Sequence, residues 1–170
     1  MKNVVILGST GSIGVNALLA IKKLGPGWRV LGLTANSNLA ALRRQVREFR
    51  PACVAVFDYA AWKEFGADIP RGVRLLPPGV EGLAEMASLD GAQIVLSAVT
   101  GAVGLAPLLA AIRASKHIAL ANKEPVIMAG ALLMQEARRW QSTLIPVDSE
   151  PSAIFQCLCL LYTSPSPRDS

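Results

Sequence analysis

Short apolar runs alternate along this chain with longer stretches in which apolar residues recur at helical spacing. The runs at residues 4–7, 28–34, 53–57, 73–76, 94–98, 117–120 and 144–147 predict strands. The stretches at residues 14–24, 39–49, 60–65, 82–88, 105–115 and 126–140 predict helices. The strand runs are mostly apolar rather than alternating, which is typical of a parallel sheet buried on both faces. The order of elements therefore predicts an α/β fold, a doubly wound (Rossmann-like) parallel sheet with helices on both faces.

Composition supports a folded domain and narrows the possible partners. The chain has 170 residues, of which 52% are hydrophobic and 17% are charged, so it is not a disordered protein. The net charge of +5 permits an anionic partner. However, Arg43, Arg44, Arg47 and Arg50 recur at helical spacing without interleaved aromatics, which favours a solvated helix face. We therefore expect no nucleic-acid partner.

One uncharged stretch, residues 91–112, is long enough to span a bilayer. It is interrupted by Gly101, Gly104 and Pro107, which favour a buried strand, a turn and a helix instead. The N-terminal apolar run breaks at Gly8, so no signal peptide is predicted. Three cysteines do not make a disulfide framework. We therefore expect a cytoplasmic protein without membrane association.

The sequence GSTGSIG at residues 8–14 follows the first predicted strand and opens the first predicted helix. Glycines there allow a tight turn and close approach of the backbone to a pyrophosphate. The helix N-terminus adds free N–H groups and a positive dipole. The arrangement predicts a dinucleotide-binding loop, with a structural turn that binds nothing as the alternative.

The second predicted strand ends at Thr34-Ala35-Asn36-Ser37-Asn38, a segment without an acidic residue. A site selective for NAD usually has Asp or Glu there to hold the ribose hydroxyls. A carboxylate would repel the 2′-phosphate of NADP, whereas Ser and Asn can hydrogen-bond it and Arg43 or Arg44 can screen it. The segment therefore favours NADP; the alternative is a helix cap without adenosine contact.

Two further polar triplets follow predicted strands: Asn122-Lys123-Glu124 and Asp148-Ser149-Glu150. In an extended segment residues two apart face the same way, so both carboxylates of the second triplet can reach one cation. Such oxygen ligands suit Mg²⁺ or Mn²⁺. Taken singly, the triplets are better explained as an ion pair and an acidic loop. All these groups nevertheless follow the carboxyl ends of parallel strands, where doubly wound sheets bind ligands.

Four motifs stand in order along the chain: GSTGSIG, AVTGAVGL, IALANKE, and PVDSE followed by SAIFQ. Over residues 1 to about 158 they resemble the 1-deoxy-D-xylulose 5-phosphate reductoisomerase family. That family uses NADPH and Mg²⁺ or Mn²⁺ to convert its substrate to 2-C-methyl-D-erythritol 4-phosphate in isoprenoid precursor synthesis. Its members are much longer. We therefore expect an NADPH-binding domain at 1–147, the start of a catalytic domain at 148–158, and a disordered, non-native tail at 159–170.

The resemblance implies specific cofactor contacts. The residues expected at the pyrophosphate of NADPH are Gly8, Thr10, Gly11, Ser12 and Ile13. Those expected beside its adenosine phosphate are Asn36, Ser37 and Asn38, and those expected elsewhere on the cofactor are Asn122 and Glu124. Many relatives carry a basic residue near Ser37, so this chain departs from the family at the adenosine phosphate.

The resemblance also implies the substrate and metal residues. Asp148 and Glu150 are expected as metal ligands, and Lys123, Ser149 and Glu150 as substrate contacts. The expected catalytic residues are Lys123, Asp148 and Glu150. Pro151 stands where relatives usually have His, and proline restricts the residue before it, so Glu150 can be displaced.

These expectations concern a longer enzyme, a bacterial homodimer acting on a sugar phosphate. We expect the chain itself to bind NADPH without turning over substrate, since a third metal carboxylate is absent. Two other hypotheses stay open. One is another NADP-dependent dehydrogenase, related to semialdehyde or dihydrodipicolinate reductases; the other is an NADP(H)-sensing domain without catalysis.

Overall fold

The computed structural model describes residues 1–147, which form one parallel sheet of seven strands between two layers of helices. The strands are β1 Lys2–Leu7, β2 Trp28–Ala35, β3 Cys53–Val56, β4 Arg74–Leu75, β5 Ile94–Ser97, β6 His117–Leu120 and β7 Thr143–Pro146. The helices are α1 Ser12–Leu24, α2 Leu39–Phe49, α3 Tyr59–Gly66, α4 Gly79–Ala87, α5 Leu105–Arg113 and α6 Glu124–Arg139. The predicted fold class is confirmed. The boundary expected after residue 147 and the tail at 159–170 concern residues outside the described part.

The strand order is β4-β3-β2-β1-β5-β6-β7, and every neighbouring pair is parallel. The chain moves outward from β1 to β4, then returns to the other side of β1 to build β5, β6 and β7. The winding direction therefore reverses between β1 and β5. In open α/β sheets, the carboxyl ends of the strands at such a point form a crevice for ligands.

Two hydrophobic layers cover the central strands because successive side chains of a strand point to opposite faces. Val4 and Ile6 belong to a layer with apolar residues of α1, α2 and α3. Val5 and Leu7 belong to the other, with residues of α4, α5 and α6. Each is buried, which explains the continuous apolar pattern of β1.

Several element ends differ from the sequence prediction, and prolines account for two of them. α4 begins at Gly79, after Pro78 in an extended conformation, and α6 begins at Glu124, with Pro125 in its first turn. Pro125 suits the first turn because the N–H that proline lacks has no partner within the helix. Pro78 is the N-cap residue, just before the first helical residue of α4. α5 ends two residues earlier than predicted, and Ser115 beyond it has a φ of 55°. No helix within residues 1–147 combines the length and apolar character that a bilayer crossing requires.

The arginine-rich face of α2 is only partly solvated. Arg43 lies 3.2 Å from the Glu64 carboxylate and over the ring of Phe65, so α3 holds its guanidinium. Arg44 and Arg47 are exposed, as expected for a solvated face. Of the two arginines expected near an NADP phosphate, Arg43 is therefore already engaged on α3.

Candidate cofactor-binding site

A cleft of about 260 Å³ opens at the carboxyl edge of the sheet, where the winding direction reverses. Its lining residues are Gly8, Thr10, Gly11, Thr34, Ala35, Asn36, Phe57, Leu83, Ala98, Val99, Thr100 and Val103. The cleft thus brings together the glycine loop, the end of β2 and the loop after β5, as the sequence predicts. This lining has no charged side chain, so a ligand there would be held by backbone groups, hydroxyls and an amide.

Two glycines of the loop are required by close backbone approach. Gly8 has a φ of +83°, and a Cβ atom on it would lie 2.6 Å from the Ala98 carbonyl oxygen. A Cβ atom on Gly14 would lie 2.4 Å from the Gly8 carbonyl oxygen. Any larger residue at either position would force the backbone apart, because real Cβ atoms do not approach so closely. These two glycines therefore fold the loop tightly between β1, β5 and α1.

Gly11 has a different role at the mouth of the loop. It precedes α1 with an ordinary φ of −78°. As a glycine it has no side chain that could cap the helix. Its N–H donates to the Gly8 carbonyl at 3.2 Å, whereas no side chain caps the first turn of α1. Ser12 and Ile13 in that turn are exposed. First-turn N–H groups and the helix dipole are thus available to an anion, so a pyrophosphate fits this end of α1.

Three buried polar side chains hold the loop against β2 and α2. The Ser9 hydroxyl donates to Gln45 Oε1 at 2.7 Å, and Gln45 Nε2 donates to the Ser9 carbonyl at 2.8 Å. The Gly8 N–H donates to the Thr34 hydroxyl at 2.8 Å. Sequence reasoning missed this cluster; the available signal was Gln45, a polar residue on the buried face of α2. The cluster fixes the loop that would carry the pyrophosphate.

The turn after β2 exposes Asn36, Ser37 and Asn38. Asn38 Oδ1 accepts a hydrogen bond from the Ala41 N–H at 3.1 Å and so caps α2. Asn36 also lines the cleft, so this turn adjoins the glycine loop. The segment presents amide and hydroxyl groups, in keeping with the expectation that NADP is preferred.

Asp58, which follows β3, adjoins this turn. The Asp58 N–H donates to the Asn36 carbonyl at 3.2 Å, and its carboxylate accepts from the Ala61 N–H at 2.8 Å. Sequence reasoning considered acids only after β2 and missed this neighbour. Because Asp58 caps α3, part of its hydrogen-bonding capacity is already used.

Asn122 joins the loop before α6 to the loop that lines the cleft. Its buried side-chain amide donates to the carbonyls of Val99 and Gly101, the latter at 3.1 Å. Its carbonyl oxygen accepts from the Glu124 N–H at 3.0 Å. In this arrangement Asn122 ties two loops together, and its implied contact with the cofactor stays a prediction.

Lys123 and Glu124, two further predicted residues, lie outside the cleft lining. Lys123 is exposed and lines a separate groove beside α6, and Glu124 is half-buried at the start of that helix. Asp148, Ser149 and Glu150 fall outside the described residues. Within residues 1–147, no three side chains of His, Cys, Asp or Glu are grouped to hold a metal ion.

Comparison with known proteins identifies the family. A family model described as 1-deoxy-D-xylulose 5-phosphate reductoisomerase matches residues 4–130. The chain belongs to this family. The enzyme of that name from Elusimicrobium minutum is 51% identical over 158 residues, and the one from Thermodesulfovibrio yellowstonii is 47% identical. Both alignments cover 93% of this chain. The chain spans 40% and 41% of the length of these reductoisomerases.

Solved reductoisomerase structures agree with the fold. The Zymomonas mobilis enzyme in complex with NADPH matches 92% of this chain and 41% of its own, with a TM-score of 0.85 and 36% identity. A reductoisomerase complex with NADPH, fosmidomycin and magnesium matches with a TM-score of 0.83 and 39% identity. A biliverdin reductase with 19% identity shares the fold alone.

Proposed function

We propose that this chain provides the NADPH-binding part of a 1-deoxy-D-xylulose 5-phosphate reductoisomerase. The reaction converts that sugar phosphate to 2-C-methyl-D-erythritol 4-phosphate in isoprenoid precursor synthesis. One observation carries the proposal: an uncapped helix N-terminus and a tightly folded glycine loop adjoin the cleft at the sheet's reversal point. The solved relatives that resemble this chain include complexes with NADPH.

In this proposal the backbone of the glycine loop binds the cofactor's pyrophosphate. Thr10, Gly11, Ser12 and Ile13 surround the pyrophosphate at the start of α1, where the first-turn N–H groups of the helix face it. Asn36, Ser37 and Asn38 hydrogen-bond the 2′-phosphate of the adenosine. Gly8 contributes by its conformation, because only a glycine fits beneath the Ala98 carbonyl.

The cofactor residues near α6 complete the proposed binding site. Glu124 contacts NADPH beyond the cleft, and Asn122 orients the loop to which both residues belong. Lys123 directs its ammonium group to the substrate as a catalytic residue.

The metal ligands and the other substrate contacts of the proposal lie beyond residue 147. Asp148 and Glu150 have the oxygen donors that Mg²⁺ or Mn²⁺ prefers, and Ser149 and Glu150 contact the sugar phosphate. When bound, the cation polarises substrate oxygens and NADPH supplies the hydride. Asp148, Glu150 and Lys123 are the proposed catalytic residues. The whole enzyme is proposed to act as a homodimer in the bacterial cytoplasm.

Cofactor choice is tested by titrating the chain with NADPH and with NADH, following nicotinamide fluorescence. We expect tighter binding of NADPH, and Asn36→Asp should reduce this preference because its carboxylate repels the 2′-phosphate. Asn16→Asp is the matched control, because Asn16 is exposed on α1 outside the cleft. Equal affinities of the wild-type chain for both cofactors would contradict the proposed selectivity.

Catalysis is tested by following NADPH oxidation with 1-deoxy-D-xylulose 5-phosphate and Mn²⁺. We expect no turnover by the 170-residue chain, since two carboxylates are too few to hold the cation firmly. Fusing residues 1–158 to the remaining part of the Elusimicrobium minutum enzyme should give turnover that Asp148→Asn abolishes. NADPH binding without turnover in the fusion would instead favour an NADP(H)-sensing domain.

A further inference from the structure

A hollow lined by arginines lies at the amino edge of the sheet, opposite the edge that carries the cofactor cleft. It is formed by the C-terminal end of α2 and the loops that precede β3 and β4. Its volume is about 470 Å³. Its lining residues are Val46, Arg47, Arg50, Pro51, Pro70, Arg71, Gly72 and Val73. Three of these residues are arginines and none is acidic, so the lining carries charge of one sign only.

The three arginines of the lining have no acidic partner within the described residues. Arg43 and Arg74 on either side of the hollow form ion pairs, but no carboxylate among residues 1–147 pairs with an arginine of the lining. The acid that follows directly on α2, Glu48, pairs with Lys22 at 2.6 Å. Like charges around one hollow repel each other, and an anion bound between them would remove that repulsion.

Arg50 has a backbone conformation that folding alone does not favour. It ends α2 with a φ of 45° and a ψ of 58°, in the left-handed region. Its N–H donates to the Val46 carbonyl at 3.0 Å. Glycine or asparagine usually occupies this position at the end of a helix, because other side chains crow the backbone there. Residues held in such conformations cluster at ligand-binding sites, and here the turn brings an arginine to the wall of the hollow.

The dipole of α2 explains only part of this arrangement. Positive side chains are favourable near a helix C-terminus, which accounts for Arg47 in the last turn. Arg71, however, belongs to the loop between α3 and β4 and lines the same hollow. A solvated helix face involves only the residues of its own helix. Arginines that converge from two separate segments are instead typical of an anion-binding site.

We propose that Arg47, Arg50 and Arg71 bind the diphosphate group of a small anion at the amino edge of the sheet. A guanidinium group binds phosphate oxygens through two parallel N–H donors. Three such groups therefore suit a ligand with several negative oxygens better than a single carboxylate. Because this hollow and the cofactor cleft lie at opposite edges, the inference does not depend on the proposed function.

The shape and composition of the hollow favour a small anion over a nucleic-acid strand. Val46 and Pro51 are buried and lie at the base of the hollow, where less water weakens the attraction between charges. No aromatic residue lines the hollow, whereas single-stranded nucleic acids are usually bound by stacking their bases on aromatic rings. A compact ligand that fills the hollow with charge fits these features best.

Titration of the full 170-residue chain with inorganic diphosphate, followed by its backbone amide resonances, tests the proposal. We expect saturable shifts at Arg50, Arg71 and Gly72 around the hollow. Shifts at Gly8 and Gly11 report separately on the cofactor cleft. Saturation with NADPH should suppress the shifts at the cleft and leave those at the hollow. A failure of NADPH to bind would therefore count against the proposed function alone.

Substitutions in the lining show whether the arginines hold the anion. Arg71→Gln and Arg50→Gly should each weaken diphosphate binding by about tenfold, since each removes a charged hydrogen-bonding group. Arg44→Gln is the matched control, because Arg44 is exposed on the same helix and does not line the hollow. It should weaken binding by less than about twofold, because salt screens distant charges. Arg50→Gly should not lower the melting temperature, since glycine adopts the left-handed conformation readily.

Two further ligands distinguish a free diphosphate from one attached to an organic group. Tighter binding of uridine diphosphate than of inorganic diphosphate would identify an organic diphosphate as the ligand, and the reverse order would identify the free anion. Inorganic phosphate should bind more weakly than either, because it meets fewer guanidinium groups.

Three results would overturn the proposal. Equal weakening by Arg44→Gln and Arg71→Gln would show a general attraction to the positive face of α2. An absence of shifts around the hollow would show that the arginines bind no diphosphate. Binding of single-stranded RNA at the hollow without a response to diphosphate would assign this surface to a nucleic acid instead.

Discussion

The centre of this sheet and its β7 edge are buried to different degrees. Around β1 and β2, helices cover both faces, and buried side chains of Ser9, Thr34 and Gln45 tie the glycine loop in place. Around β7, α6 covers one face and exposes apolar side chains on its outer surface. The comparison teaches that regular secondary structure forms with or without full burial. Hydrogen bonds between buried polar side chains distinguish the centre of the sheet from the β7 edge, where α6 leaves apolar side chains exposed.

The contrast continues within α6 itself. Leu133 is 1% exposed and packs into the core, whereas Leu132 before it is 45% exposed. We expect Leu133→Ala to lower the free energy of unfolding by about 2–5 kcal/mol, the usual cost of a cavity at a buried leucine. Leu132→Ala should change it by no more than about 0.5 kcal/mol. Urea unfolding of both variants measures the difference.

Similar losses in the two leucine variants would mean that the outer surface of α6 is as buried as its inner one. The distinction between the centre of the sheet and its β7 edge would then be wrong.

Beside the central strand β1, Gly14→Ala should destabilise the protein by about 1–3 kcal/mol because its Cβ atom has no space beside the Gly8 carbonyl. In an unobstructed helix the same change is normally stabilising by about 1 kcal/mol. Gly27→Ala is the control, since no atom lies within 4 Å of a Cβ atom built there. Thermal unfolding is the measurement: Gly14→Ala should lower the melting temperature, whereas Gly27→Ala should not.

Gly11→Ala separates binding from folding in the same loop. A Cβ atom there meets only the Gly8 carbonyl oxygen at 3.5 Å, an ordinary contact, so stability should stay near that of the wild type. NADPH affinity should fall, because the methyl group enters the lining of the cleft. Unimpaired affinity would place the pyrophosphate elsewhere.

Replacing Gln45 tests whether the polar cluster stiffens the loop. Gln45→Leu removes the side-chain donor to the Ser9 carbonyl and one of the two acceptors of the Ser9 hydroxyl, which keeps the Thr34 carbonyl at 3.0 Å. The unmet hydrogen bonds should cost about 1–3 kcal/mol, with weaker NADPH binding as the loop loosens. Gln135→Leu on exposed α6 surface is the matched control. Chemical unfolding and NADPH titration of both variants provide the measurement.

The smallest expected effect is a pH dependence on α6. Arg113 Nε donates to the Glu136 carboxylate at 2.8 Å, and this hydrogen bond holds the pKa of Glu136 below its ordinary value despite opposing desolvation. Glu136 therefore contributes stability above the ordinary glutamate pKa of about 4.3, and this contribution is lost as the pH falls through the lowered pKa. Glu136→Gln should be less stable than wild type at neutral pH, with the difference shrinking in acid.

Unfolding measured across this pH range is the check. Glu64→Gln, which alters an exposed ion pair with Arg43, should show a weaker dependence. If the stability difference between Glu136→Gln and the wild type grew in acid, the assigned direction of the Glu136 pKa shift would be wrong.

Features that depend on local pattern could be predicted from the sequence, and those that depend on distant pairs could not. The strands and the glycine loop follow from apolar runs and from glycines between a strand and a helix. The contact of Ser9 with Gln45 joins residues 36 positions apart, and Asn122 reaches back 21 positions to Gly101. No periodicity encodes these contacts. Nor could the helical pattern of α6 show which apolar side chains, such as Ile127, would stay exposed.

The position of β1 at the centre of the sheet determines the order in which the chain can assemble. Val4 pairs with Val30 on one side and with Ile94 on the other. The first pairing closes a short loop, whereas the second closes a long one at greater entropic cost. During synthesis, β1 to β4 can join while β5 is still unmade, which leaves one side of β1 as an unpaired strand edge. Until β5 arrives, that apolar edge is the part of the nascent protein most open to pairing with a wrong partner.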